Sequence, residues 1–524
     1  MAQRSSSSKW EDIPTEVLEQ IVQYMDYSSL SAVSRLSRRL NYLATTRYLG
    51  QNVIDQISRE STLITAFTPD VASSQGNHRW EPLHIVTIAL WLKELKIINH
   101  FTPAGAGYPQ FVSDARRLTR FIRSMPTSSL NILKVSNYDA RDAVDEYLHL
   151  KTWKDLLEAA FLKGCRELLI KELDLHIFGR AHHLKIASPE VEFGARDDSD
   201  SENIHGGKDP NSSLDLVIDP ASLHTISAHL NATLEILHIY SGFFFQPLLL
   251  PFTVNIFHCH AETMTSLIIS DTPPHIEVVA WETFLQEVSL PFLNILELRY
   301  IYHLPVKTFA SFLSRHLAII KLEIAGPRFD IDQPFPIIDV PTLQNLQCLQ
   351  ARPQILAWIL RCSSPSYALE FVKPLDVYHQ ITRTTVEVWF SDLEEALNAI
   401  HASRPGGSVP IPSLELEVTL DFYSFKPSAV AARMLNQVES LSAIERTPWS
   451  RITMLTLNDL SSPMHRATAL FSDTLPRWIA LFPSLSELRL FWSRMPSQGP
   501  HDPLLISLSD TFSFKYPSLK VVIG

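Results

Sequence analysis

Residues 10–49, WEDIPTEVLEQIVQYMDYSSLSAVSRLSRRLNYLATTRYL, carry apolar positions at helical spacing. Ile13, Val17, Leu18, Ile21, Val22 and Met25 fall on one face of a 3.6-residue period. Pro14 suits the first helical position, where a missing N–H costs nothing. Asp26-Tyr27-Ser28-Ser29 interrupts the pattern, and Ser28 is the expected N-cap of the second helix. A second apolar series runs through Leu30, Val33, Leu36, Leu40 and Leu43. The pattern predicts three short helices with more apolar surface than a unit of about 40 residues buries alone. Such a unit must pack on the rest of the chain or on a partner.

Farther along, the period changes. A spacing of L-x-x-L-x-L recurs as Leu130, Leu133, Val135; Ile170, Leu173, Leu175; Leu234, Leu237, Ile239; and Met264, Leu267, Ile269. The plainest copies are Leu293, Leu296, Leu298 and Leu485, Leu488, Leu490, with Ile452, Leu455, Leu457 close behind. Around residue 320 two registers fit equally, Leu317-Ile320-Leu322 and Ile319-Leu322-Ile324. A weaker start lies at Leu92, Leu95, Ile97 and a weak end at Leu519, Val522. Several copies come after a helix-like run, as in 283–301 and 474–492. Successive copies at Ile239, Ile269 and Leu298 are about 30 residues apart, within the range of stacked repeats. Each unit predicts a strand preceded by an amphipathic helix. One unit cannot cover its own apolar face, and stacking buries it.

The N-terminal set resembles the F-box. The family opens with Leu-Pro, here Ile13-Pro14, then an acidic residue and paired aliphatics, here Glu16, Val17 and Leu18. Ile21-Val22, the break Tyr24-Met25-Asp26 and Leu30 come next, then Val33, Arg35, Arg38, Leu40, Leu43 and Ala44 in the closing pattern. Ile13 stands in for the usual Leu, and Leu40 stands where many members carry Trp. The resemblance implies docking onto the Skp linker subunit of an SCF-type ubiquitin ligase, and through it onto cullin. It assigns that contact to Ile13, Pro14, Val17, Leu18, Ile21, Leu30, Val33, Leu36 and Leu40. The second pattern is similar to an irregular leucine-rich repeat, although the Asn that usually comes after the strand is mostly missing and Asn458 is a partial match. The combination resembles the large, divergent F-box families of fungi and plants, and the fungal set in particular. The expected fold class is α/β: an N-terminal three-helix F-box and then an irregular leucine-rich-repeat-like solenoid. The competing fold is a non-repetitive α/β domain.

Expected boundaries are a disordered segment at 1–9, the F-box at 10–50, a linker and the start of the repeats at 51–129, and the solenoid at 130–524. Residues 188–213, SPEVEFGARDDSDSENIHGGKDPNSS, are acidic, Ser-rich and poor in large apolar side chains. They offer nothing to repay ordering entropy and read as a disordered insertion between repeats. Ser199 and Ser201 lie among acids that an acidophilic kinase recognises, though such serines are common in solvated loops.

Composition narrows the function class. The net charge of −11 opposes nucleic-acid binding, which rewards positive charge. Arg35, Arg38, Arg39 and Arg47 form a local basic stripe, read as a solvated helix face; the F-box resemblance implies a further use, attraction to an acidic partner. Cys165, Cys259, Cys348 and Cys362 form no C-x-x-C pair and fit a reducing compartment. The N-terminal residues lack the apolar core of a signal peptide. Residues 83–98 are the most membrane-like, but are too short and too charged to span a bilayer. The expected location is cytoplasmic, nuclear or both.

A catalytic centre is not legible. The chain lacks G-x-S-x-G and H-E-x-x-H, and Gly206-Gly207-Lys208 leads into Asp209, which is no P-loop. Asp198, Asp200 and Glu202 have calcium-loop spacing, but Asn203 stands where Gly is needed. His258-Cys259-His260 is the best metal-like cluster; in a strand its histidines would share one face, and buried strand residues are the plainer reading. His182-His183 is weaker still. No cofactor is implied.

The remaining candidates concern a protein target. If the leucines of each strand point into the core, the alternate residues point the other way, onto the concave face of a horseshoe. That outward set is His238 and Tyr240, Glu297 and Arg299, Lys321 and Glu323, Thr456 and Asn458, Arg489 and Phe491. The mixture of charges and aromatics fits protein binding, with Tyr and Arg as anchors. The aromatic runs Phe243-Phe244-Phe245, Trp389-Phe390 and Phe491-Trp492 read mainly as core or caps. The expected function is target recognition for a ubiquitin ligase. The alternative is a repeat scaffold, uncoupled from ubiquitination, whose N-terminal helices cap the repeats.

Overall fold

Three helical stretches open the described part of the chain. The structure, a computed structural model, describes residues 13–48, 61–66, 95–102, 108–127, 129–137, 146–172, 233–270, 276–301, 304–325, 343–362, 369–374, 392, 394–399, 413–419, 452–458, 482–490 and 516–523. Helix α1 is Thr15–Gln23, α2 is Tyr27–Val33, and α3 spans 38–48. Pro14 lies just before α1, not at its first position, and its carbonyl accepts the Leu18 N–H at 3.2 Å. Asp26, not Ser28, caps α2; its carboxylate accepts the Ser29 N–H at 2.7 Å. A cap must precede the first turn to reach the N–H groups that turn leaves open, and Ser28 is already inside the helix. Ser37 does the same for α3, accepting the Leu40 N–H at 3.2 Å. Leu18, Val22, Leu30, Leu40, Leu43 and Ala44 form a common core, with Ile13, Met25, Val33 and Tyr48 packed against it.

The chain divides into two units. One takes in Met1–Arg166, Ile170–Asn231 and Leu248–Cys259; the other takes in Glu167–Leu169, Ala232–Pro247 and His260–Gly524. In the first, β1 (Thr62–Ala66), β2 (Ile97–Thr102) and β3 (Ile132–Asn137) pair in parallel and in chain order. Parallel neighbours need a crossover, which a helix supplies. Between β2 and β3 that helix is α4 (Tyr108–Ser124), and α5 (Glu146–Leu162) comes after β3. Phe111 of α4 meets His149 and Trp153 of α5 at ring distances of 5.3 and 5.4 Å, and the Trp153 N–H donates to His149 at 3.1 Å. Strand β4 is Glu167–Glu172.

The second unit continues the alternation. Its elements are β5 (Ile236–Tyr240), β6 (Ser266–Ser270), α7 (Val278–Glu287), β7 (Ile295–Arg299), α8 (Val306–Arg315), β8 (Lys321–Ala325), β9 (Cys348–Ala351), α9 (Pro353–Cys362) and β10 (Phe371–Pro374), then β11 (Ser413–Thr419), β12 (Ile452–Asn458), β13 (Glu487–Leu490) and β14 (Lys520–Ile523). Helix α6 (Leu250–Cys259) lies between β5 and β6 in the chain. Each strand from β5 to β14 pairs in parallel with its chain neighbour. Register lines up the aliphatics in rows: Leu237, Leu267, Leu296, Leu322 and Leu349 in one, Ile239, Ile269, Leu298, Ile324 and Ala351 in the next. All ten side chains are buried. The architecture is mixed α/β, with N-terminal helices and parallel strands.

Four local expectations change. At residue 320 the buried set is Ile319, Leu322 and Ile324, while Leu317 is exposed. The copy placed at Ile170-Leu173-Leu175 instead buries Cys165, Leu168 and Ile170; Leu173 and Leu175 lie outside the described residues. The start placed at Leu92-Leu95-Ile97 instead buries Leu95, Ile98 and His100; Leu92 lies outside the described residues. In both cases a residue other than a large aliphatic fills one slot, so counting leucines misses the register. Cysteine behaves as a small apolar side chain there. Last, His258 and Cys259 end helix α6 and do not lie in a strand. The β-branched Thr253, Val254 and Ile256 favour a strand locally, but the crossover demands a helix.

Candidate protein-interaction surfaces

Two surfaces collect the side chains singled out from the sequence. The first is the helical module. Leu18, Leu30 and Leu40 are buried in its own core, so their side chains hold α1, α2 and α3 together. Ile13 and Val33 pack on that core and are half-buried. Pro14 and Ile21 are exposed, Val17 is 43% exposed and Leu36 60%. Tyr24, in the break after α1, is 91% exposed. The candidate set therefore splits into residues that build the module and residues that face water. Arg39 donates to the Thr15 hydroxyl and ties α3 to α1, whereas Arg35, Arg38 and Arg47 are exposed.

The second surface is the face of β5 to β14 opposite the aliphatic rows. Here Glu297 of β7 and Glu323 of β8 stand directly side by side in register. Adjacent like charges on neighbouring strands repel. Two bases resolve this. Arg299 approaches Glu297 at 2.7 Å and Glu323 at 2.7 Å, and Lys321 approaches them at 2.5 and 3.7 Å. The carboxylates are buried, Glu297 being 5% and Glu323 7% exposed, while the bases reach outward. Burial alone would lower both bases, but the attraction of Glu323 and Glu297 outweighs it and holds Arg299 and Lys321 above their ordinary values.

The row continues through Gln350 of β9 to Lys373 of β10. Lys373 lies 3.2 Å from Glu415 of β11, a buried carboxylate that also accepts the Thr456 hydroxyl at 2.8 Å. Arg489 of β13 lies 4.0 Å from Glu415 and 2.6 Å from Glu487, and Lys520 of β14 lies 3.2 Å from Glu487. The hydrogen bond from Arg489 holds the Glu487 carboxyl below its ordinary range and raises Arg489 in turn. Toward β5, the rings of His238 and Tyr240 lie 6.4 Å apart. Asn458 ends β12. The sequence suggested separate exposed charges; the structure pairs them across strands. Glu415 and Lys373 join the row without having been singled out, because pairing across some 40 residues leaves no local signal.

The remaining candidates resolve simply. Phe243, Phe244 and Phe245 form a buried 3-10 turn, with Phe245 stacked on Trp281 at 4.5 Å. His258 is exposed, Cys259 half-buried and His260 buried. No group of three or more His, Cys, Asp or Glu placed to hold a metal ion is found among the described residues. No helix among them is long and apolar enough to cross a membrane. His182-His183, the segment 188–213, Trp389-Phe390, Phe491 and Trp492 lie outside the described residues.

Comparison with known proteins assigns the first surface to a class. Residues 10–52 match the F-box domain family. The curated proteins contain no match to the chain.

Proposed function

We propose that this chain is the target-recognition subunit of an SCF-type ubiquitin ligase. The single observation that carries the reading is the F-box domain match over residues 10–52, joined to the solvent-facing apolar residues of that module. A three-helix F-box at 10–50 docks the Skp linker subunit, and through it cullin. An irregular leucine-rich-repeat-like solenoid begins within 51–129, continues over 130–524, and presents a protein target on its concave face. The chain performs no covalent chemistry. It contributes proximity, holding a lysine of the target near activated ubiquitin. The assembly works in the cytoplasm, the nucleus or both.

Exposure of Ile13, Leu18 and Leu30 would favour the adaptor, and their packing onto the repeats a scaffold with capping helices; neither arrangement is the one found. These residues pack within the module itself. Val17, Ile21 and Leu36 remain in water, as a docking surface requires.

The test uses exposed positions. Val17→Glu with Leu36→Glu places charge in a contact that must desolvate, without touching the buried core. We expect co-precipitation of the linker subunit and cullin to fall at least tenfold, with the circular dichroism spectrum unchanged. Capture at wild-type level would overturn the reading.

A further inference from the structure

Two buried histidines in the second unit bond to the repeat before them. His316 lies just past α8 and is fully buried. Its Nε2 accepts the backbone N–H of Leu290 at 2.8 Å, while its Nδ1 donates to the Phe312 carbonyl at 2.6 Å. The ring stacks on Phe312 at 3.9 Å. One nitrogen donates and the other accepts, so the ring is the neutral Nδ1–H tautomer. His260, also fully buried, occupies the related place before β6, where its Nδ1 faces the Leu234 N–H at 3.4 Å. Each contact spans 26 residues, from the end of one crossover helix back to the preceding turn.

We propose that His316, seconded by His260, is an acid-sensitive staple between successive repeats: the neutral ring closes the seam, and protonation opens it. A doubly protonated ring has no lone pair for Leu290. It would set one N–H against another in a dry site, leaving a buried backbone donor unpaired. Burial disfavours an added proton and outweighs the bond to the Phe312 carbonyl, the one contact that favours it. The charge that acts on His316 is Arg315, on its own helix, and it is repulsive. Arg315 is itself anchored to α7, donating to the Gln286 carbonyl at 2.8 Å and to that of Leu285. Glu287 ends α7 exposed to solvent. On His260 burial acts alone.

Burial holds both closed rings down to about 4, whereas a ring opened to water returns to about 6.5. Protons therefore bind the open state more readily, so the closed seam is fully favoured above about 6.5 and weakens as pH falls toward about 4. At pH 5 opening is favoured about thirtyfold relative to pH 7.5.

Hydrogen exchange of the full chain, read by mass spectrometry and corrected for intrinsic rates, tests this. The reporter is the peptide covering Leu290. The reference covers Gln347 and Cys348, whose N–H groups bond the Ile320 carbonyl at 2.8 and 3.0 Å, at the next pairing along and with no histidine in these bonds. We expect protection at Leu290 to drop about thirtyfold between pH 7.5 and 5 relative to that reference. His316→Gln keeps an acceptor oxygen but cannot titrate, and should abolish the relative drop. Parallel behaviour of the two wild-type peptides, or an unchanged drop in His316→Gln, overturns the proposal. The wild-type comparison decides by itself if the variant does not fold.

Discussion

The helical module and the charged strand row treat their side chains in opposite ways. The module buries a small aliphatic core and leaves Val17, Ile21, Tyr24 and Leu36 in water. The strand row buries even its carboxylates and provides Glu297, Glu323 and Glu415 with bases from neighbouring strands. An apolar side chain in water retains unspent burial free energy, about 1.5–3 kcal/mol for a fully covered Leu. A paired carboxylate has little left to gain. The module therefore carries the stronger physical argument for a partner. The charged row is a structural element first: its outward-reaching Arg299 and Lys321 are held by Glu297 and Glu323.

The largest effect expected from breaking this contrast is in the module. Leu30→Ala removes a core side chain and should destabilise the three helices by about 2–5 kcal/mol, read as early proteolysis within residues 13–48. Leu36→Ala should change stability by less than about 0.5 kcal/mol and still weaken linker capture. Equal proteolysis of the two variants would erase the division between core and surface.

The next effect is in the row. Arg299→Glu adds a third carboxylate beside two buried ones, and should destabilise the second unit by roughly 3 kcal/mol or more, measured by urea denaturation. It is consequently a poor probe of target binding by itself. Combining it with Glu323→Arg exchanges the charges in place and should recover more than half of the loss. Additive losses would mean the four side chains do not act as one network.

The smallest effect concerns Asp392. Burial and the nearby Glu395 push its carboxyl up to about 6, against the pull of Arg361, which pairs with Glu395 at 2.8 Å. Folding favours the protonated acid, so its contribution is present below the ordinary value of 3.8 and is lost as pH rises through about 6. Asp392→Asn should raise the melting temperature at pH 7.5 by about 1 °C, the group being half-exposed, and leave it unchanged at pH 4. An equal shift at both pH values would point to packing, not charge.

Much of the fold was legible because aliphatics at alternate positions have one physical meaning. Leu237 and Ile239, Leu267 and Ile269, and Leu296 and Leu298 announce strands with a buried face, and the structure stacks them in register. The pattern failed where a different residue does the same work, at Cys165 and His100. It also failed where topology overrode local preference, as in α6. For the surfaces, the order of apolar residues from Ile13 to Leu43 marked the module but could not separate Leu30 from Leu36, since both are leucines at helical spacing. The staple histidines were invisible for another reason. Their partners are backbone N–H groups 26 residues away, which no side-chain motif records.

From β5 to β14 every strand pairs with its neighbour in the chain. That order suits biogenesis. A strand emerging from the ribosome finds its partner already made, a few tens of residues upstream, and never waits for the far end of the chain. Such an order keeps loop-closure entropy small at each step and lets structure grow by accretion, one crossover at a time. It also means that length added between two strands lengthens a connection without moving any other pair. A protein assembled this way has room for its sequence to drift from strand to strand, provided each new strand still fits the one before it.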